Sequence, residues 1–286
     1  IVTRTDLIEH WAKTHPTDPP KVERVTTEQI ADVLGEPVAR LVELISGHAQ
    51  GRQTNLYMVG GVVRDLLLKR PNDDIDFVVE SDAITFAESL RQQYGGETHS
   101  YRPFGTATWL IEQASIFAAE MPASVDFASA RSEFYEHPTA LPTVYSGSIK
   151  LDLHRRDFTI NTLAVLLSPE SGRVVDYYGG LADLRAGLIR VLHSLSFVDD
   201  PTRILRAVRF ERRLGFTIEP RTMQLIETAL PMLRRITGER IRNELALLLA
   251  ESDAASGFLL LQARGILEAI DPAFFVPENL EERFGR

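Results

Sequence analysis

Leu56-Tyr57-Met58-Val59-Gly60-Gly61-Val62-Val63-Arg64-Asp65, with Asp74-Ile75-Asp76-Phe77-Val78-Val79 soon after it, is the stretch on which the fold turns. Four apolar residues run into a Gly pair and a helical pattern opens at Val62, so the segment reads as a buried strand, a turn and a helix to Leu68. Ile75 to Val79 reads as a second strand. A strand period of 2 then sets Asp74 and Asp76 on one face, with Ile75, Phe77 and Val79 on the other. Two carboxylates converging from one edge suit a divalent cation, which takes oxygen ligands. The plain alternative for this Asp-x-Asp is a solvated strand end. Gly60-Gly61 leaves backbone N–H groups free at a helix start, where a triphosphate could be cradled; the plain alternative is a tight turn.

The same patterns extend outward in both directions. Upstream, Ile30, Val33, Leu34, Val38, Leu41, Val42 and Ile45 recur at helical spacing, and Gly35 and Pro37 divide two helices. Downstream, a helix from Ala83 to Gln93 and strands at Thr106 to Glu112 and Ser124 to Phe127 complete an α/β region, with an irregular stretch from His137 to Ser148. Asp126 lies in the last of these strands and can supply a third carboxylate. After about Ser194 strand signals vanish, and helices are expected at Pro201 to Leu214, Pro220 to Leu233, Glu239 to Ala250 and Ala254 to Ala263.

With 286 residues and 44% hydrophobic content the chain can bury a real core in one large or two modest domains. It has no cysteine, which removes disulfides, thiolate metal sites and cysteine nucleophiles. No apolar run approaches the roughly 18 to 20 residues of a membrane span, and the start lacks the blocks of a signal peptide; a cytoplasmic location is expected. The net charge of −9 argues against nucleic acid until its distribution is considered. Between Arg190 and Leu245 eleven Arg face seven Asp and Glu, so positive charge is concentrated late. Only four of the 31 basic residues are Lys, and Arg offers forked donors suited to phosphates and base edges.

Two further clusters carry chemistry. His154-Arg155-Arg156-Asp157-Phe158-Thr159-Ile160-Asn161 packs cations, a carboxylate and an amide ahead of an apolar segment. Asp157 could cap a helix, or with Arg156 it could hold the sugar of a nucleotide by accepting from ribose hydroxyls. Asp199-Asp200-Pro201-Thr202-Arg203 opens a helix, with Asp200 placed as N-cap and Pro201 at the first helical position. Yet Asp200 and Arg203 share a face and offer an acceptor beside donors. Adenine and cytosine both show an amine donor next to a ring-nitrogen acceptor on the Watson–Crick edge, an order that guanine and uracil reverse. One Asp/Arg pair therefore suits A and C. Arg206 and Arg209, further along the helix, could reach phosphates; an Arg-rich helix is otherwise a solvated face.

In order and spacing these segments resemble the class II tRNA nucleotidyltransferase and bacterial poly(A) polymerase family. Val59 to Asp65 with Asp74-Ile75-Asp76 looks like its metal and triphosphate motif, Arg155 to Asn161 like its ribose motif, and Asp200 to Arg206 like its base-reading motif. Asp176-Tyr177-Tyr178-Gly179-Gly180 is similar to the flexible segment between these, and Gly238-Glu239-Arg240-Ile241 to the motif that steadies the base-reading helix. Phe104-Gly105-Thr106-Ala107 and Val125 to Arg131 look more like tRNA nucleotidyltransferases than poly(A) polymerases. Ile1 to Leu7 resembles the end of a CBS domain, as in long family members where CBS domains precede the polymerase region. Asp199 departs from the family, where Glu is common.

The resemblance implies an α+β fold: a catalytic head with a small mixed sheet over residues 53–195, and an all-α neck with the start of a body over 196–286. Residues 1–25 would close a preceding domain and linker, and 26–52 would form connecting helices. It implies Mg²⁺ in a two-metal site on Asp74 and Asp76, with Asp126 completing the catalytic set. Nucleotide binding falls to Gly60, Gly61, Arg64, Asp65, Arg156, Asp157, Asn161, Asp200, Arg203, Arg206 and Arg209. ATP and CTP are the expected substrates and the 3′ end of tRNA the expected partner. The rival expectations are a poly(A) polymerase and a non-catalytic nucleotide-sensing or RNA-binding module. The resemblance also implies a helical body and tail that grip the tRNA elbow, expected to be mostly absent from this sequence.

Overall fold

The computed structural model describes residues 23–111, 121–134, 143–277 and 279–280. Two helices come first, α1 (Thr27–Leu34) and α2 (Glu36–Gly51). A capping box starts α1: the Thr26 hydroxyl accepts from the Gln29 N–H and the Gln29 side chain accepts from the Thr26 N–H. Gly35, at φ 96°, ends α1, and Pro37 lies in the first turn of α2, so the break falls where the sequence places it.

Next come β1 (Leu56–Val59), α3 (Gly61–Leu67), β2 (Asp76–Val79), α4 (Ala83–Tyr94), β3 (Glu97–Tyr101), β4 (Thr106–Leu110) and β5 (Ser124–Ser129). A hairpin of β6 (Arg131–Phe134) and β7 (Thr143–Ser146) leads to α5 (Ile149–His154), β8 (Ala164–Ser168) and β9 (Arg173–Val175). Seven strands form one mixed sheet in the order β3-β4-β5-β2-β1-β8-β9, in which β2 and β5 run parallel and the other pairs antiparallel.

The sheet's two faces explain where the site lies. Leu56, Met58, Phe77, Val79, Ala107, Trp109, Val125 and Phe127 point into the main core, where Phe77 stacks on Phe127 with centroids 5.3 Å apart. The alternating residues face a smaller apolar layer under α5, built from Tyr57, Val59, Val78, Ile149 and Leu153. Asp76, Thr108 and Asp126 share that second face by the period of 2.

The chain then forms α6 (Gly180–Ala186), β10 (Leu188–Ile189), α7 (Ser196–Asp199), α8 (Thr202–Leu214), β11 (Thr217–Ile218), α9 (Pro220–Ala229), α10 (Gly238–Leu249), α11 (Ala254–Ala263) and α12 (Ile266–Ile270). One apolar cluster runs from Val25 through the sheet to Val276, and α1 and α2 contribute Ile30, Leu41, Val42 and Ile45 to it. Glu23 and Val25 pair with Val174 and Gly172 beside β9.

Four expectations need correction or delimiting. Residues 143–146 are a strand where irregular chain was expected, because pairing with β6 supplies what their composition does not signal; 137–142 lie outside the described residues. The helical region contains β11, whose two residues pair in parallel with β10 and are too few to leave a periodic trace. β2 begins at Asp76, so Asp74 sits in the preceding turn, its N–H bonded to Oδ1 of Asn72. The first 22 residues, which carry the CBS-like stretch, lie outside the described residues.

Candidate active site

A cleft of about 510 Å³ opens between the β1–α3 turn, the segment 155–161 and one side of α8 from Arg203 to Arg213. Its local geometry starts at Gly60, whose φ of +76° favours glycine. A Cβ there would lie 2.6 Å from Nη1 of Arg156. The absent side chain is what lets that guanidinium cross the turn. Behind the turn, Arg64 is buried and forks onto Asp65, with Nε and Nη2 each 2.8 Å from a carboxylate oxygen.

From Arg64 a chain of bonds runs from α3 to α8 and α10. Its Nη1 donates to Oδ1 of Asn161 at 2.7 Å, and Asn161 Nδ2 donates to Oδ1 of Asp157 at 2.9 Å. The other oxygen of Asp157 accepts from Nε of Arg206 at 2.9 Å and forms an ion pair with its Nη2 at 2.7 Å, and Arg206 also reaches Glu244 on α10. Burial raises the Asp157 pKa, but Arg206 and the Asn161 bond outweigh it and hold the carboxyl below its ordinary value. Asp157 is thus an ionised group fixed from both sides, on the cleft wall rather than at a helix cap.

At the start of α8, Oδ1 of Asp200 accepts from the Thr202 N–H, the Thr202 hydroxyl and Nη2 of Arg240. The helix starts at Thr202 with Pro201 as its cap residue, one position later than expected, yet Asp200 still satisfies a first-turn N–H. Arg203 is anchored by Ser196 Oγ and the Arg155 carbonyl, each at 2.7 Å. Arg64, Arg206 and Arg209 all lie over the ring of Phe210, between 5.1 and 5.5 Å from its centroid.

At the other end, one carboxylate oxygen each from Asp74, Asp76 and Asp126 come within 4.8 Å of one another. Burial, then the charge of Asp74, opposed by Arg156 and helped by Asp126, pushes the Asp76 carboxyl up to about 6. Crowded like charges on hard oxygen donors are what a Mg²⁺ ion would relieve, so the donor set fits that cation.

The expected residues converge with two qualifications. Gly60, Gly61, Arg64, Asp74, Asp76, Arg156, Asp157, Asn161, Asp200, Arg203, Arg206 and Arg209 all line the cleft. Asp126 faces an adjoining cavity, and Asp65 stands behind Arg64 without lining the cleft. Arg206 and Arg209 reach the cleft paired with Asp157, Glu244 and Glu251. Sequence reasoning missed Asn72, Phe210, Arg213 and the fully buried Asp152, which pairs with both Arg155 and Arg156. For Asp152 the signal was available: it stands three and four residues before two arginines.

Residues 56–190 match the family described as the poly A polymerase head domain, and residues 215–275 match the probable RNA and SrmB-binding site of polymerase A. An A-adding tRNA nucleotidyltransferase from Geobacter sulfurreducens is 40% identical over 98% of this chain and 32% of its own length. Another, from Halalkalibacterium halodurans, is 41% identical over 85% of this chain and 53% of its own length. This chain therefore spans about a third to a half of these curated relatives. The Thermotoga maritima CCA-adding enzyme complexed with tRNA superposes with a TM-score of 0.77 at 35% identity, over 93% of this chain and 60% of that one.

Proposed function

The chain belongs to the class II tRNA nucleotidyltransferase and poly(A) polymerase family, and from that premise we propose that it adds nucleotides from ATP or CTP to the 3′ end of tRNA. The observation that carries this is one cleft with Asp74 and Asp76, two members of a three-carboxylate cluster with Asp126, at one end and the Asp200/Arg203 pair at the other. Addition of the terminal A is the favoured form, since both relatives named above are A-adding enzymes.

Residues 53–195 act in this proposal as the catalytic head, and the helical region that follows from residue 196 as the neck and start of the body. The base lies against Asp200 and Arg203, the ribose beside Asp157 and Asn161, and the triphosphate between Gly60, Gly61 and Arg156. Asp65 acts through Arg64, which it holds in place. Asp74 and Asp76, with Asp126, would hold a pair of Mg²⁺ ions. Such ions supply positive charge that activates the attacking hydroxyl and neutralises the leaving group. The RNA 3′ oxygen forms a bond to the α-phosphorus, the bond from that phosphorus to the bridging oxygen breaks, pyrophosphate departs with the electron pair, and the hydroxyl proton passes to solvent. Positioning and charge stabilisation do the rest. Since tRNA and both nucleotides occur there, the cytoplasm is the proposed place of action.

The test is to incubate the full-length protein with tRNAs ending before CCA, after C and after CC, each with labelled ATP or CTP and Mg²⁺. One labelled A on the CC-ending tRNA is expected, together with loss of transfer in Asp76→Asn. A long tail would mean a poly(A) polymerase, and nucleotide binding without transfer would mean a sensing module.

A further inference from the structure

Two cavities meet at Asp76. The first is the cleft already described, and it takes in Asp74. The second, about 440 Å³, lies over the sheet face formed by β2, β5 and β4. Asp126, Thr106 and Thr108 line it, and Arg155 and Arg156 belong to both cavities. Asp74 therefore borders only the first and Asp126 only the second, with Asp76 between them.

Displacement at phosphorus places the attacking and leaving oxygens roughly in line on opposite sides. If the nucleotide occupies the first cavity, with its base toward the neck, the attacking hydroxyl has to arrive from the side on which Asp126 stands. How Asp126 is aimed then matters. It is exposed, and an exposed aspartate is free to change rotamer unless something holds it. Thr108 is its register partner across β4 and β5, on the same face, and the Thr108 hydroxyl donates a hydrogen bond to Oδ1 of Asp126. A β-branched donor on a strand is stiff at χ1, so it presents that hydroxyl in a fixed direction.

We propose that Thr108 is a positioning residue that keeps Asp126 turned into the second cavity, and that this cavity seats the 3′-terminal nucleotide of the acceptor RNA. The inference rests on the nucleotidyltransferase reading. It assigns the two substrates to separate cavities, so a change at Thr108 should disturb one substrate and spare the other.

The experiment compares Thr108→Val, which keeps the shape and removes the donor, with Thr108→Ser, which keeps the donor. In the full-length protein, kcat and KM are measured separately for a tRNA lacking its terminal A and for ATP, and ATP affinity is measured by fluorescence titration without RNA. Thr108→Val should lower kcat/KM for the tRNA by about ten- to a hundredfold, the usual loss when a group orienting a metal ligand is removed. ATP affinity should not change, and Thr108→Ser should restore the rate. Wild-type rates in Thr108→Val, an equal loss of ATP affinity, or failure of Thr108→Ser to restore the rate would each overturn the assignment while leaving the proposed function standing. A wild-type protein that transfers nothing to any tRNA would overturn the proposed function and this inference with it.

Discussion

At position 60 a methyl group would press within 2.6 Å of the Arg156 guanidinium while φ stayed at +76°. Gly60→Ala is expected to cost more than about 1 kcal/mol, read from urea unfolding, because both strain and contact oppose it. It should also weaken ATP binding, since Arg156 must swing away; unchanged ATP affinity would detach Arg156 from the triphosphate. Asp157 offers a test by pH. Its folded pKa lies below the unfolded value of about 4, so the stability it contributes is present above that value and is lost as pH falls through the folded pKa. Asp157→Asn should therefore be less stable than wild type at neutral pH, with a gap that narrows below about pH 4. A gap of constant size between pH 7 and 3 would show that the charge on Asp157 is not what holds it.

Helix α8 must satisfy two demands along one length. Ile204, Leu205, Ala207 and Val208 are buried and bind it to the core, while Arg203, Arg206 and Arg209 turn toward the cleft. Its first turn depends on Asp200, which serves as both backbone acceptor and partner of Arg240. Replacing Asp200 by Ser separates these roles, because a serine hydroxyl still accepts from the Thr202 N–H but presents no carboxylate to a base. Asp200→Ser is expected to keep its melting temperature and lose its preference for A and C over G and U. Retained selectivity, measured with the four nucleotides in competition, would leave Asp200 a cap alone.

At the scale of the molecule, head and neck share one apolar cluster, and Phe158 of the head meets Phe210 of α8 edge-on at 5.8 Å. The Arg64–Asn161–Asp157–Arg206–Glu244 chain of bonds crosses the same boundary. Unfolding should accordingly occur in one transition. In a Trp11→Phe background, fluorescence of the fully buried Trp109 in β4 reports on the sheet alone, and far-UV circular dichroism reports on helices α1 to α12 along the whole described chain. Coincident urea midpoints are expected. Separate midpoints would mean that the bonds across the cleft do not couple the two regions.

What the sequence determined by itself was local. Apolar periodicity placed β1, β2, β4, β5 and α8, Gly35 with Pro37 divided α1 from α2, and Asp74-Ile75-Asp76 and Asp200 to Arg203 marked the two ends of the cleft. These features are set by residues within a few positions of one another, where steric and hydrogen-bonding rules act without the rest of the chain. Only tertiary structure decided the remainder. β3 is a polar edge strand, β11 is two residues long, and neither has a pattern of its own; each exists because a neighbouring strand supplies its partners. The parallel pairing of β2 with β5 sets Asp126 beside Asp76 across fifty residues of chain. In the same way the fold lays three arginines on Phe210 and turns Asp65 behind Arg64 instead of into the cleft. Sequence spacing carries no information about which distant groups will meet, because that is settled by the packing of whole elements around a shared core.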